Sequence, residues 1–353
     1  MKQRLLKLFL LLGIFRIWAL LRRSQITILM IHGTRDADPA DAWQPLRPQA
    51  SVRDMDAALA LMKRYFNFIS MDDAIAMLKG EKPLKPNSCV LTFDDGYRNN
   101  LTDALPLLRK HGIPGLFYPA TAHIDQQKVY WIDRLDYILQ KADVEGREIQ
   151  IGGQSVKIDA SSRGALLNSY RRIIMGFKQH SESDEAMQHE LYALASKLEA
   201  EADDSIDRVI DNDRWAALMS WEEIAQASQA PDLLFGSHTV DHVLIGNDRK
   251  ERVRDQLVNS KAAIEQHTGK PCDHFCYPAG SWDKQAVELL AESGYRSAVT
   301  SDFGTNRVGD NPLILKRYPF PNSGSPLNTL AHTSGLIYAL SALKQRLRGK
   351  AAD

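Results

Sequence analysis

Two short runs of this chain place metal-binding and acid–base side chains directly after apolar segments. The first is Leu91-Thr92-Phe93-Asp94-Asp95-Gly96-Tyr97, and the second is Gly236-Ser237-His238-Thr239-Val240-Asp241-His242. Together they offer two imidazoles and a carboxylate for a divalent ion, with a second carboxylate beside it. That inventory fits metal-assisted hydrolysis, in which an ion activates water and a carboxylate moves protons. Val90, Leu91 and Phe93 read as a buried strand that Gly96 breaks. Adjacent Asp94 and Asp95 should leave its end in different directions, because successive strand side chains alternate. One then meets an ion while the other faces the water. Taken alone, Asp-Asp-Gly also reads as an ordinary turn. His238 and His242 follow Leu233-Leu234-Phe235-Gly236. Their i, i+4 spacing predicts two rings on one side of a helical turn. A lone histidine is more often a satisfied surface or core residue, but a pair at a second strand end favours the ligand reading.

A third run, Phe275-Cys276-Tyr277-Pro278-Ala279-Gly280, looks like a strand turned out by Pro and Gly. Such an exit can bring an aromatic hydroxyl and backbone N–H groups near a reacting carbonyl. In this order, the three runs resemble the polysaccharide deacetylase family, carbohydrate esterase family 4. Its Thr-Phe-Asp-Asp-Gly motif is matched by Thr92 to Gly96, and its His-Ser/Thr-x-x-His motif by His238, Thr239 and His242. The Tyr-Pro-x-Gly form at Tyr277 to Gly280 is similar to a branch acting on surface polysaccharides, as is the opening Ile28-Leu29-Met30-Ile31-His32-Gly33. The resemblance covers most of residues 26–320 apart from one long insertion.

The resemblance implies roles. Asp94 is the general base, and Asp95, His238 and His242 hold a divalent metal, zinc first, with cobalt or nickel as alternatives. Tyr277, mainly through its backbone N–H, helps bind the oxyanion; Pro278 and Gly280 shape the substrate site. Two departures stand out. Many members carry an arginine at the start of the third motif, where this chain has Cys276-Tyr277. Many also end in a Leu-x-His motif, where Leu313-Ile314-Leu315-Lys316-Arg317-Tyr318-Pro319 has no histidine. Arg317 either replaces the missing arginine and pairs with Asp94 or is a strand-end surface cation. His32, at the end of the first strand, is a candidate general acid, and His332 in the tail is a weaker one.

These residues need a frame of alternating strands and helices. Strands are expected at 25–31, 90–93, 115–119, 233–236, 274–277 and 297–300, and a strand at 313–319 completes the series. Helices are expected at 52–65, 71–78, 99–111, 221–227, 251–267 and 283–293. Caps mark them: Ser70 and the Ser220-Trp221-Glu222-Glu223 box open helices, while Gly112, Gly269 and Gly294 close them. Repeated βα units argue for a parallel sheet, and site residues at several strand ends argue for a barrel. The resemblance narrows this to a distorted, incomplete (β/α)7 barrel at residues 25–122 and 216–322. An insertion at 123–215 opens with an aromatic amphipathic helix from Val129. It continues through a hairpin around Gly152-Gly153 and a charged helical stretch. It should sit near the mouth, with Tyr130 and Trp131 packing it onto the barrel rather than stacking on sugar.

Residues 1–24 read as an N-terminal amphipathic, membrane-prone helix, with Lys7 and Arg16 among leucines and Phe9, Phe15 and Trp18. The alternative is a helix that caps the barrel. The apolar run between Lys7 and Arg16 is too short to span a bilayer. Residues 323–353 form a helical tail of similar character. The expected placement is peripheral, on the cytoplasmic face of the inner membrane, with a signal-anchored periplasmic protein as the alternative. Acidic and basic residues balance at 44 each, which disfavours a nucleic-acid partner. The three cysteines, Cys89, Cys272 and Cys276, are expected to be reduced. The leading expectation is a metal-dependent deacetylase for an N-acetylated sugar, in an envelope polysaccharide or its lipid-linked precursor. A deformylase or other amidase and a glycan-binding pseudo-enzyme are the alternatives.

Overall fold

The computed structural model describes residues 3–322 and 324–349. Met1 and Lys2 of the expected N-terminal helix lie outside the described residues. So do Ser323, residues 350–353 and the side chains of 346–349 in the expected tail.

The chain opens with α1 (Gln3–Leu11) and α2 (Ile14–Leu21), then enters β1 (Ile26–Ile31). The single helix expected over 1–24 is two, because Gly13 takes a left-handed φ of 70° between them. Next come α3 (Val52–Met62), β2 (Asn67–Phe68), α4 (Met71–Leu78) and β3 (Ser88–Asp95). α5 (Leu105–His111) leads to β4 (Gly115–Pro119) and α6 (Thr121–Gln126). The expected helix over 99–111 begins as a wide π-type turn, Asn100–Ala104. Pro106 sits in the first turn of α5, where it lacks an N–H and crowds the preceding carbonyls.

The insertion holds α7 (Trp131–Lys141), the β5–β6 hairpin (Glu148–Ile151, Gln154–Lys157), α8 (Arg163–His180) and α9 (Asp184–Ala202). It has its own apolar core around Leu135, Ile138, Tyr170, Ile173 and Leu191, and Trp43 and Leu46 from the loop after β1 join it. The barrel resumes with α10 (Trp221–Ser228), whose capping box is present, and β7 (Leu233–Phe235). α11 (Lys250–Thr268), β8 (His274–Cys276), α12 (Lys284–Glu292), β9 (Ser297–Phe303) and β10 (Leu315–Pro319) complete it. α13 (Pro326–Thr333) and α14 (Leu336–Gly349) follow.

The strands run in parallel in the order β7-β4-β3-β1-β10-β9-β8, with β2 beside the start of β3. This is the expected incomplete (β/α)7 barrel. Between β8 and β7 the backbone pairing is reduced to the Ser237–Phe275 bridge, so the barrel has a seam there. Ile26, Ile28, Val90, Leu116 and Val299 pack together with Ile75 and Leu78, so α4 seals one end. Leu29, Leu91, Phe93 and Phe117 form a second core with the surrounding helices. Period-two alternation along each strand divides its side chains between these two cores. α1 and α2 join the second core through buried Leu6 and Phe15. Trp18 and Arg22 donate to the Ser334 carbonyl, so the two ends of the chain meet.

Candidate metal centre and acid–base pair

The end of β3 delivers both carboxylates. Asp94 continues the strand, while Asp95 (φ 72°) and Gly96 (φ 75°) turn out of it. The divergence of the two side chains therefore owes more to this left-handed exit than to simple alternation. Asp94 is 2% exposed and meets Arg317 of β10 in a two-point contact. Nη1 donates to Oδ1 at 2.8 Å and Nη2 to Oδ2 at 2.9 Å. The rest of the guanidinium is also engaged: Nε donates to the Thr300 carbonyl, Nη1 to Thr92 Oγ1 and Nη2 to Cys276 Sγ. Burial raises the Asp94 pKa, but the charge and hydrogen bonds of Arg317 more than reverse this and hold it below the usual carboxylate range. A carboxylate has about four lone-pair sites, so Asp94 keeps capacity for a water proton.

Asp95 Oδ1 lies 3.5 Å from His238 Nε2 and 3.4 Å from His242 Nε2. The histidines do not share a helical turn. Residues 237–245 are irregular, with Thr239 at φ 67° and His242 at φ 56°, and this double left-handed path brings the rings together at 4.8 Å. A β-branched residue at positive φ is strained, and such strain gathers at functional sites. His238 Nδ1 sits 2.7 Å from the Cys276 carbonyl, which fixes the ring and leaves Nε2 free. Burial opposes ionisation of Asp95, but hydrogen bonds from His238 and His242 hold its pKa well below the ordinary value.

Two nitrogens and one carboxylate oxygen converging in this way fit a divalent transition metal with open positions. A second group, Asp94, His238 and Cys276, also clusters. It fits less well, because Arg317 already holds Asp94 and burial pushes the Cys276 thiol well above its ordinary pKa. Cys89 and Cys272 are likewise buried free thiols.

A cavity of about 220 Å³ opens over these groups. His32, exposed at the end of β1, lines it together with Ala279, Gly280 and Ser301. The sequence reading is corrected at three points. The Tyr277 N–H donates to the Val299 carbonyl and its hydroxyl to the Leu313 carbonyl, so this residue offers no free donor to an oxyanion. Pro278 is buried and does not line the cavity, whereas Gly280 does. A Cβ at Gly280 would lie 2.0 Å from Ser301 Oγ, so glycine is needed for this close approach. His332 packs edge-on against Tyr338 and is not part of the cavity wall. The backbone N–H groups at the turn point elsewhere: Pro278 has none, and Ala279 (φ 50°) faces the cavity with its N–H given to no other group among the described residues.

The insertion contributes more than the sequence reading found. Tyr130, Trp131, Ile132, Ile174 and Lys178 line the cavity, as does Arg47 from the loop after β1. Tyr130 donates to the Asp95 carbonyl at 2.8 Å and stacks on His123, whose pKa burial lowers to about 4, keeping it neutral. From α9, Gln188 donates to the His242 carbonyl at 3.2 Å and Asp184 accepts from the Leu244 N–H. The insertion thus holds the backbone of two of the three ligands. Only its position after the first motif hinted at this.

A search of curated proteins gives no match. Among solved structures, a Streptococcus pyogenes deacetylase, PplD, in complex with acetate is 16% identical. The match covers 88% of this chain and 99% of that one at a TM-score of 0.57. IcaB from Ammonifex degensii is 17% identical over 88% of this chain and 97% of its own, with a TM-score of 0.55. A de-N-acetylase from Aggregatibacter actinomycetemcomitans is 15% identical over 83% and 94%, with a TM-score of 0.51. At these identities the likeness is one of fold. The family model for polysaccharide deacetylase matches residues 81–298, more than half of the chain and the span that carries Asp94, Asp95, His238 and His242, and the protein belongs to that family.

Proposed function

We propose that this polysaccharide deacetylase removes N-acetyl groups from an amino sugar with Asp94 as base and a divalent metal, zinc in the first instance, held by Asp95, His238 and His242. One observation carries the reading: a buried, arginine-clamped carboxylate and a three-ligand group share one cavity wall. When bound, the metal polarises the amide carbonyl and makes water more acidic. Asp94 takes a proton from the attacking water as its oxygen bonds to the acyl carbon. Arg317 orients Asp94 and keeps it ionised beforehand. The Ala279 N–H is set to donate to the oxygen that gains charge in the tetrahedral intermediate. As the C–N bond breaks, His32 gives a proton to the departing nitrogen, leaving acetate and a free amine. The cavity is smaller than the roughly 300–1,000 Å³ typical of drug-sized sites. It therefore suits the acetamido end of one sugar, with the rest of the glycan outside. The acetate in the Streptococcus pyogenes structure is the product this reaction releases.

The test is acetate release from chitooligosaccharides by zinc-loaded protein, with wild type compared to Asp94→Asn. Wild type should release acetate. The variant should lose at least about 100-fold in rate while keeping its zinc, because it removes only the base. Loss of zinc in Asp94→Asn would contradict the division of roles. Formate release from an N-formyl sugar, with none of acetate, would reassign the amide.

A further inference from the structure

The helices at the start of the chain have two apolar faces. Leu6 and Phe15 are buried in the barrel's outer core, and Trp18 packs against it. On the other side Leu8 and Leu11 of α1, Leu12 just after it, and Ile17, Leu20 and Leu21 of α2 are 48–83% exposed. Ile17, Leu20 and Leu21 follow i, i+3, i+4 spacing, so they form one stripe. Among the described residues, more than half of the exposed large apolar side chains lie between Leu5 and Leu21. A helix that is apolar on both faces normally has both covered.

Charge identifies the cover. There is no Asp or Glu before Asp36. Lys7, Arg16 and Arg23 are exposed around the stripe, and Arg22, Arg307 and Lys316 line a groove with Leu21 and one carboxylate, Asp310. None of these cations forms an ion pair among the described residues. No helix among them is long and apolar enough to cross a membrane. We infer that α1 and α2 seat the molecule on the surface of an anionic lipid bilayer, with the site mouth turned away from the lipid.

The orientation follows from the strands. The Arg23 carbonyl accepts from the Asn87 N–H, one residue before β3 starts, and Asn306 pairs with Ile26 at the start of β1. The catalytic groups lie where those strands end, at His32 and Asp94–Asp95. β3 has eight residues, which at 3.3 Å each separates the two levels by about 25 Å. A molecule seated this way works on glycan that reaches into the water, not on the sugar next to a lipid. This favours the envelope polysaccharide over its lipid-linked precursor.

The three native cysteines are buried, so single introduced cysteines can carry a polarity-sensitive dye. We would label Leu20→Cys and, beside the mouth, Met175→Cys. Both would be mixed with vesicles of phosphatidylcholine, with or without phosphatidylglycerol. The Leu20 label should shift to the blue only with phosphatidylglycerol present, and the Met175 label should not respond. Arg16→Gln and Arg23→Gln should each weaken binding roughly fivefold. A silent Leu20 label, an equal response to neutral vesicles, or a response at Met175 would overturn the proposal. So would a blue shift of the Leu20 label that grows with protein concentration and needs no vesicles, because a second copy would then cover the stripe. The readout is independent of acetate release, so its failure leaves the catalytic reading standing.

Discussion

Asp94 and Arg317 come from strands on opposite sides of β1, yet they meet with both oxygens and both terminal nitrogens paired. Replacing Arg317 with Gln leaves a buried carboxylate whose desolvation is no longer opposed by a guanidinium, at a cost of about 3–5 kcal/mol in stability near neutral pH. In the wild type the Asp94 pKa is depressed on folding. Its contribution is present above the unfolded value near ~3.9 and is lost as pH falls through the folded value. In Arg317→Gln the sign reverses, since burial raises the pKa, and acidification should then relieve the instability. The acid limb of kcat/KM should move to higher pH in the variant, measured on chitooligosaccharides. An unmoved acid limb would mean that Arg317 does not set the ionisation of the base. Arg317→Lys should be intermediate, because it keeps the charge without the fork. Asp94, Asp95, His238 and His242 were legible because each pair lies in one short run. Arg317 came only from a resemblance, since its partner is distant in sequence. The proposed Ala279 donor was hidden: whether the Tyr277 N–H is free depends on β8–β9 pairing, which no local pattern encodes.

At the scale of elements, the helices that announced themselves did so through caps. Ser70 and Ser220 open α4 and α10, and Gly112 and Gly269 close α5 and α11 in left-handed conformations. These are local interactions, so local sequence reports them. The path from His238 to His242 was misread as helical because the spacing of two rings says nothing about backbone handedness. Thr239 and His242 take positive φ, and the neighbouring elements keep them there. The Thr239 carbonyl accepts from Thr121 at the start of α6, and α9 holds the His242 carbonyl through Gln188. On the proposed reading, that second contact makes α9 a positioning element for the metal group. Gln188→Ala should weaken zinc binding about tenfold, the lower end for outer contacts of a metal site. Competition with a chromogenic chelator would measure it, and thermal stability should change by less than about 1 kcal/mol. Unchanged zinc affinity would confine α9 to packing.

At the scale of the whole molecule, the βα alternation was readable as a parallel sheet and the resemblance gave an incomplete barrel, but the place of the seam was not legible. A seam is a matter of which ladder fails to form, and β7 and β8 are each only three residues long. Across it run the Ser237–Phe275 bridge and the contact between His238 and the Cys276 carbonyl, and Asp95 at the end of β3, two strands from β7, faces both histidines. The proposed metal group ties the end of β3 to the segment after β7, on one side of the seam, and reaches β8 through the contact between His238 and the Cys276 carbonyl. By fixing the His238 ring, zinc would also fix that contact across the seam, and so act on the wall as well as on the substrate. Amide hydrogen exchange should slow on zinc addition mainly at residues 233–242 and 274–277, with β1 and β10 unchanged; uniform slowing, or none at the seam, would count against it. The chemistry and the mechanical integrity of this barrel would then share one ion. Chelation would loosen the wall of the reaction chamber at the moment it disarms it.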